Sequence, residues 1–124
     1  MILDSNIIIY VGKTTAEKPV LEFLEAHQPD LTASAISKLE VLGFHALQPN
    51  EKLRLEQFFQ DLKMKIVSKS VIERAIKLRQ QRKISLGDSI IAATALIHNL
   101  PVFTNNEKDF QHIEGLQIIP LKSI

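Results

Sequence analysis

The sequence predicts a small α/β domain with a short, mostly parallel sheet flanked by helices. Short apolar runs alternate with longer stretches whose apolar residues recur at helical spacing. The length of 124 residues is about that of one domain, and residues 1–124 contain no internal repeat, low-complexity segment or linker. A composition of 45% hydrophobic and 23% charged residues suits a domain that buries a core without cross-links.

Each element has its own signal. Met1–Leu3 is a short apolar strand that stops at Asp4, and the apolar run Ile7–Val11 follows it. Lys13–Thr15 is a loop. Pro19 fits the first turn of a helix carrying Val20, Leu21, Phe23 and Leu24 to about His27, where Pro29-Asp30 breaks it. Leu31–Ala33 is a second strand. Ser34 or Ser37 caps a helix to about Leu47, with Ser37 and Glu40 at capping-box spacing. Pro49-Asn50 opens the next helix, through Leu55 and Phe59 to Leu62. Lys65–Val67 is a brief strand, and Ser70 with Glu73 is a second capping-box candidate, heading a basic helix to about Arg82. Gly87-Asp88 introduces the most apolar helix, ending at His98; strands at Pro101–Thr104 and Leu116–Ile119 complete the chain. Such alternation places the strands in parallel.

Several chemistries are excluded. There is no cysteine, hence no disulfide, thiolate metal site or thiol nucleophile. No Gly-rich phosphate loop or G-x-S-x-G elbow is present. The four histidines lack metal-ligand spacing, and His45 and His98 are expected to finish helices, where the dipole favours a cation. Ser89–Ile97, the longest apolar stretch, is far below the roughly 20 residues that span a bilayer. Nothing at the N-terminus marks the chain for export, so a cytoplasmic protein without membrane attachment is expected.

The formal charge of +1 conceals an asymmetry. Residues 1–62 hold five Lys/Arg against nine Asp/Glu, whereas residues 63–124 hold ten against five. The stretch Lys63–Lys83 supplies most of the excess and is either a solvated helix face or a phosphate-binding surface.

The acids carry more information where they interrupt apolar patterns. Asp4 ends the first strand, and ligands of parallel sheets bind at the carboxyl ends of strands; it equally suits an N-cap. Glu40 lies within the apolar stripe of Ile36, Gly43 and Leu47, as a partnered carboxylate or as half of the capping box. Asp88 heads a helix buried nearly all round, where the dipole also favours an acid. Asp109 follows the polar loop Asn105–Lys108, with Phe110 anchoring that loop to the core; a solvated loop position is the simplest account of it. Parallel topology can bring all four to one rim. Their mutual repulsion then requires a cation, and hard oxygen donors select Mg²⁺ or Mn²⁺, ions suited to phosphate esters.

Four segments, in order and at matching spacing, resemble the PIN domain family, and most closely its small VapC-type toxins of prokaryotic toxin–antitoxin pairs. They are Ile2-Leu3-Asp4-Ser5-Asn6-Ile7-Ile8-Ile9-Tyr10, Ser34-Ala35-Ile36-Ser37-Lys38-Leu39-Glu40-Val41-Leu42, Leu86-Gly87-Asp88-Ser89-Ile90-Ile91-Ala92-Ala93-Thr94-Ala95 and Phe103-Thr104-Asn105-Asn106-Glu107-Lys108-Asp109-Phe110. The resemblance covers essentially the whole chain and implies a PIN-like three-layer sandwich. It further implies an Mg²⁺- or Mn²⁺-dependent endoribonuclease in which metal-activated water cleaves RNA, leaving 5′-phosphate and 3′-hydroxyl ends. Asp4 and Asp88 would be the principal metal ligands, and Glu40 and Asp109 would complete the site or accept the water's proton. Asn106 stands where one common form of the family has an acid, so Asp109 or Asn106 completes the set. Ser5 replaces the more usual Thr and keeps its hydroxyl; Ser5, Asn6, Thr104 and Asn106 would orient the acids. A homodimer and a separate antitoxin chain are the implied partners besides RNA. The alternatives are a PIN-like interaction module without turnover and a housekeeping or DNA-directed nuclease with the same site.

Overall fold

A computed structural model describes residues 1–124. Five strands, β1 (Ile2–Leu3), β2 (Thr32–Ser34), β3 (Lys63–Lys65), β4 (Val102–Thr104) and β5 (Ile118–Pro120), form one sheet in the order β3-β2-β1-β4-β5. All four pairings are parallel, so the sheet is wholly rather than mostly parallel.

Alternation of side chains along each strand divides the core into two layers. Ile2 and Val102 face one side, where they meet α5 (Lys69–Gln81) and α6 (Leu86–His98) through Val71, Ala75, Leu78, Ile90, Ile91 and Ala92. Leu3, Ala33 and Phe103 face the other, against α1 (Ser5–Val11), α2 (Lys18–Ala26) and α4 (Pro49–Gln60). α3 (Ala35–Leu42) lies between the layers: Val41 belongs to the second cluster, while Ile36 packs against the first. This is the expected three-layer sandwich. α6 is buried along most of its length, from Ser89 to Ala95. Its Ala92, Ala93 and Ala95 let it lie close to the sheet, and Asn99 ends it in the left-handed conformation. No helix is long and apolar enough to cross a membrane.

The structure decides between the two caps open for α3 and corrects the cap of α5. Ser34, not Ser37, caps α3, its Oγ accepting from the Ile36 amide at 3.2 Å. Ser68, not Ser70, caps α5, accepting from the Val71 amide at 3.2 Å. Both S-x-x-E matches therefore lie inside their helices. α3 also ends at Leu42 instead of continuing to Leu47, because Gly43 closes it with a bond back to the Leu39 carbonyl. His45 consequently sits in the following turn, whereas His98 does end its helix. β3 lies two residues earlier than the expected Lys65–Val67 and ends just before the apolar Ile66-Val67 pair, since Lys63–Lys65 is the segment in register with Thr32–Ser34. Ile66 is left 74% exposed. β5 is shifted the other way, toward the C-terminus, Pro120 taking an edge position opposite Thr104.

Ser34→Ala is expected to lower stability by about 1 kcal/mol through loss of the α3 cap. A urea midpoint that does not fall would show that the α3 amides are satisfied without it.

Candidate active site

The chain runs outward in both directions from β1, with β2 and β3 on one side and β4 and β5 on the other. Such a reversal opens a crevice at the carboxyl ends of the central strands. Asp4 follows β1 directly and is 2% exposed, its amide bonding to the Phe103 carbonyl of β4 at 3.0 Å. It occupies the N-cap position of α1, yet its carboxylate makes no capping bond. Instead Asp4 Oδ2 accepts from Thr104 Oγ1 at 2.8 Å, across the crevice. Both roles open to Asp4 from sequence therefore survive: the first amides of α1, Ser5 and Asn6, lie close enough to favour its charge, and Thr104 ties one of its oxygens to β4.

The Thr104 hydroxyl also accepts from the Asn106 amide at 2.9 Å, and Asn106 Nδ2 donates to Asp109 Oδ2 at 2.7 Å. One polar chain thus links Asp4, Thr104, Asn106 and Asp109. Phe110, fully buried, pins the loop that carries them. Asp88 enters from α6, where Ser85 Oγ caps the helix by accepting from the Asp88 amide at 3.1 Å.

These acids feel one another. Burial pushes the Asp4 carboxyl above its ordinary value; the Thr104 hydrogen bond opposes this and the charge of Asp109 adds to it. Asp88 is pushed up to about 6, first by burial, then by the charge of Asp4, with Asp109 contributing and Ser85 opposing. None of the three ion pairs in the molecule involves Asp4, Glu40, Asp88 or Asp109.

Glu40 reaches the same rim from α3. Ser5 Oγ donates to Glu40 Oε1 at 3.0 Å and lies 2.9 Å from Ser37 Oγ. The Glu40 carboxylate rests over Gly87 of α6, where a Cβ would fall 2.5 Å from Oε2. Ser5, Thr104 and Asn106 therefore each touch an acid directly or through one bond. Asn6 is exposed, and its side chain hydrogen-bonds to none of them.

Asp4, Asp88 and Asp109 offer only oxygen donors, a set matched to a hard divalent cation and able to be relieved by one. As placed, the side chains form no group of three acids or histidines at metal-holding spacing. The fit therefore rests on donor chemistry and on the unbalanced charge.

Sequence reasoning missed three features. Gly87 was seen only as a helix start, although its lack of a side chain is what admits Glu40. Ser37 is readable from sequence only as one of two candidate caps, although it is buried beside Ser5. His112 carries no signal in its sequence spacing, although it lines a cleft of about 430 Å³ with Asp88 and Asp109. Only the small residue before Asp88 left a trace that could have been followed.

The PIN domain family model matches residues 1–116. Ribonuclease VapC1 of Rickettsia felis is 38% identical over 52 residues, a match spanning 40% of this chain and 39% of that protein. The solved toxin–antitoxin complex from Klebsiella pneumoniae contains a chain 31% identical, with a TM-score of 0.77 over 95% of this chain and 94% of that one. VapBC2 from Rickettsia felis, solved bound to a DNA fragment from its promoter, shares the fold at a TM-score of 0.84 and 22% identity, covering 96% of each chain. With most of its length matched by the family model, the chain belongs to the PIN domain family.

Proposed function

We propose that the protein is a metal-dependent endoribonuclease and the toxin of a toxin–antitoxin pair, its activity carried by one domain over residues 1–124. The observation that carries this reading is the convergence of Asp4, Asp88 and Asp109 at the crevice beside β1 with no basic side chain paired to them. The ribonuclease name of the Rickettsia felis relative and the toxin–antitoxin complex from Klebsiella pneumoniae support it.

Asp4 and Asp88 would hold Mg²⁺ or Mn²⁺, with Asp109 and Glu40 completing the set. The chemistry such an ion would supply is polarisation of a phosphoryl oxygen and a lower pKa for a bound water. The chain's own part is to fix the donors. Thr104 holds Asp4 by Oδ2, and Asn106 holds one oxygen of Asp109 in the same way. Glu40 Oε1 is steadied by Ser5, and the carboxylate would accept a proton from the attacking water. The same reading expects a cytoplasmic homodimer and an antitoxin chain that covers the acids.

The test is cleavage of a labelled single-stranded RNA with Mg²⁺, Mn²⁺ or EDTA, beside Asp4→Asn purified identically. Metal-dependent cutting is expected from the wild type, with a loss of about 10²–10³-fold in the variant. Equal cutting by both would assign the activity to a contaminant. No cutting under any condition would favour an interaction module.

A further inference from the structure

The basic half of the sequence does not act as one surface. Lys63 lies beside Met1, Asp30 and Leu100, at the amino ends of the strands and away from the acids. Arg82 and Lys83, at the end of the same basic stretch, line the cleft that contains Asp88 and Asp109. Lys108 joins them from the loop after β4, so cations from distant parts of the chain meet on one rim. All three are exposed, and none belongs to an ion pair.

His112 closes the cleft. Its Nδ1 is the one buried side-chain nitrogen or oxygen in the molecule without a hydrogen-bond partner. Nε2 makes no bond within the chain either and is not buried, so it is the ring atom available to a ligand. In the tautomer with its proton on Nε2, that atom donates to an anionic oxygen. The cleft therefore carries two chemically distinct sets of groups: carboxylates suited to a cation, and unpaired cations with a free donor.

We infer that this cleft holds the RNA backbone phosphate adjoining the one attacked, with Arg82, Lys83 and Lys108 neutralising it and His112 donating to it. The inference rests on the ribonuclease reading and extends it from the acids to the strand they act on. A polyanion with regularly spaced charges would satisfy both sets at once, one phosphate meeting the acids through a divalent ion and its neighbour meeting the cations. A volume of about 430 Å³ is on the scale of a single nucleotide. Contacts of this type position the strand and carry no sequence information.

The experiment is steady-state cleavage of a labelled single-stranded RNA with Mn²⁺ at several KCl concentrations. It compares the wild type with Lys83→Ala/Lys108→Ala, the charge-conserving Lys83→Arg/Lys108→Arg, and Lys63→Ala as a basic residue outside the cleft. At low salt the double alanine variant is expected to raise KM about ten-fold with kcat within about two-fold. Its plot of log(kcat/KM) against log[KCl] should be shallower by about 0.7, the contribution of one phosphate on a single strand. The arginine variant and Lys63→Ala should keep the wild-type slope. A merely structural role would not move the salt slope. Unchanged KM and slope in the alanine variant, with wild type active, would overturn the inference and leave the nuclease standing. A wild type that cuts no RNA overturns both. If poly-glutamate inhibits the wild type but not the alanine variant, while KM for RNA stays the same, the rim belongs to an acidic polypeptide and the inference fails.

Discussion

Asp88→Asn is expected to lower RNA cleavage by about 10²–10³-fold and, measured in EDTA, to make the protein melt at a higher temperature. The two effects share a cause. Asp88 is half-buried near Asp4 and Asp109, with no cationic partner, and its pKa is pushed up to about 6. Near pH 7.5 the folded protein therefore holds a charge that the unfolded chain would solvate freely. Removing it relieves a penalty on the order of 1–2 kcal/mol after allowance for partial exposure, of which the lost helix-dipole interaction takes back a few tenths. For a chain of this size the gain amounts to about 3–5 °C in melting temperature. Added Mn²⁺ should reverse the order, stabilising the wild type through binding to the folded state and leaving the Asn variant nearly unmoved.

The pH dependence has a definite sign. An acid whose folded pKa lies above its unfolded value destabilises the fold wherever both states are ionised. That penalty disappears as pH falls through the folded pKa toward the unfolded one. In EDTA, wild-type stability should accordingly rise as pH falls from about 7 through 6 toward 4, opposite to ordinary acid denaturation. Asp4 is raised for the same first reason, burial, and contributes in the same direction. Asp88→Asn should keep only the Asp4 part of this rise. Thermal melts between pH 4.5 and 8 decide the matter. If the Asn variant melts at or below the wild type throughout, Asp88 is an ordinary first-turn acid and the strained-charge account is wrong.

Much of this was legible because burial and polarity conflict at the informative positions. Asp4 ends a strand whose other residues are fully buried, and Asp88 heads a helix whose next turns are almost entirely so. A carboxylate in such a context needs an explanation visible in one dimension. The layers were legible for a similar reason, since apolar periodicity records which faces are covered. Caps were less so. Ser-x-x-Glu marks a box only if the helix begins at that serine, and the true starts at Ser34 and Ser68 depend on where the preceding strand or loop leaves the sheet. β3 was misplaced because an edge strand needs backbone pairing more than apolar side chains, so Lys63–Lys65 serves while Ile66 faces solvent. The cleft beside Asp88 was illegible, because Arg82, Lys108 and His112 come together only once β4 lies beside β1.

Gly87→Ala is expected to lower cleavage about 10- to 100-fold while leaving the fold as stable as before, or slightly more so. Gly87 lies in the first turn of α6 without positive φ, so its backbone accepts alanine, the better helix former, with a gain of at most about 0.5 kcal/mol there. What alanine does not accept is the position of Glu40. The new methyl would lie 2.5 Å from Oε2 and 2.7 Å from Oε1, both the far end of a flexible, exposed side chain. Glu40 can swing outward at little cost, breaking its bond from Ser5 and leaving the rim. The substitution therefore separates placement of a carboxylate from stability of the fold. A double-mutant cycle gives the reason for any loss: if Gly87 acts by seating Glu40, Gly87→Ala on a Glu40→Gln background should cost almost nothing further. Wild-type turnover by Gly87→Ala would show that the observed seat of Glu40 is not the one used in the reaction. Additive losses in the cycle would mean that the close approach of α3 to α6 itself, and not the carboxylate between them, is what the glycine protects.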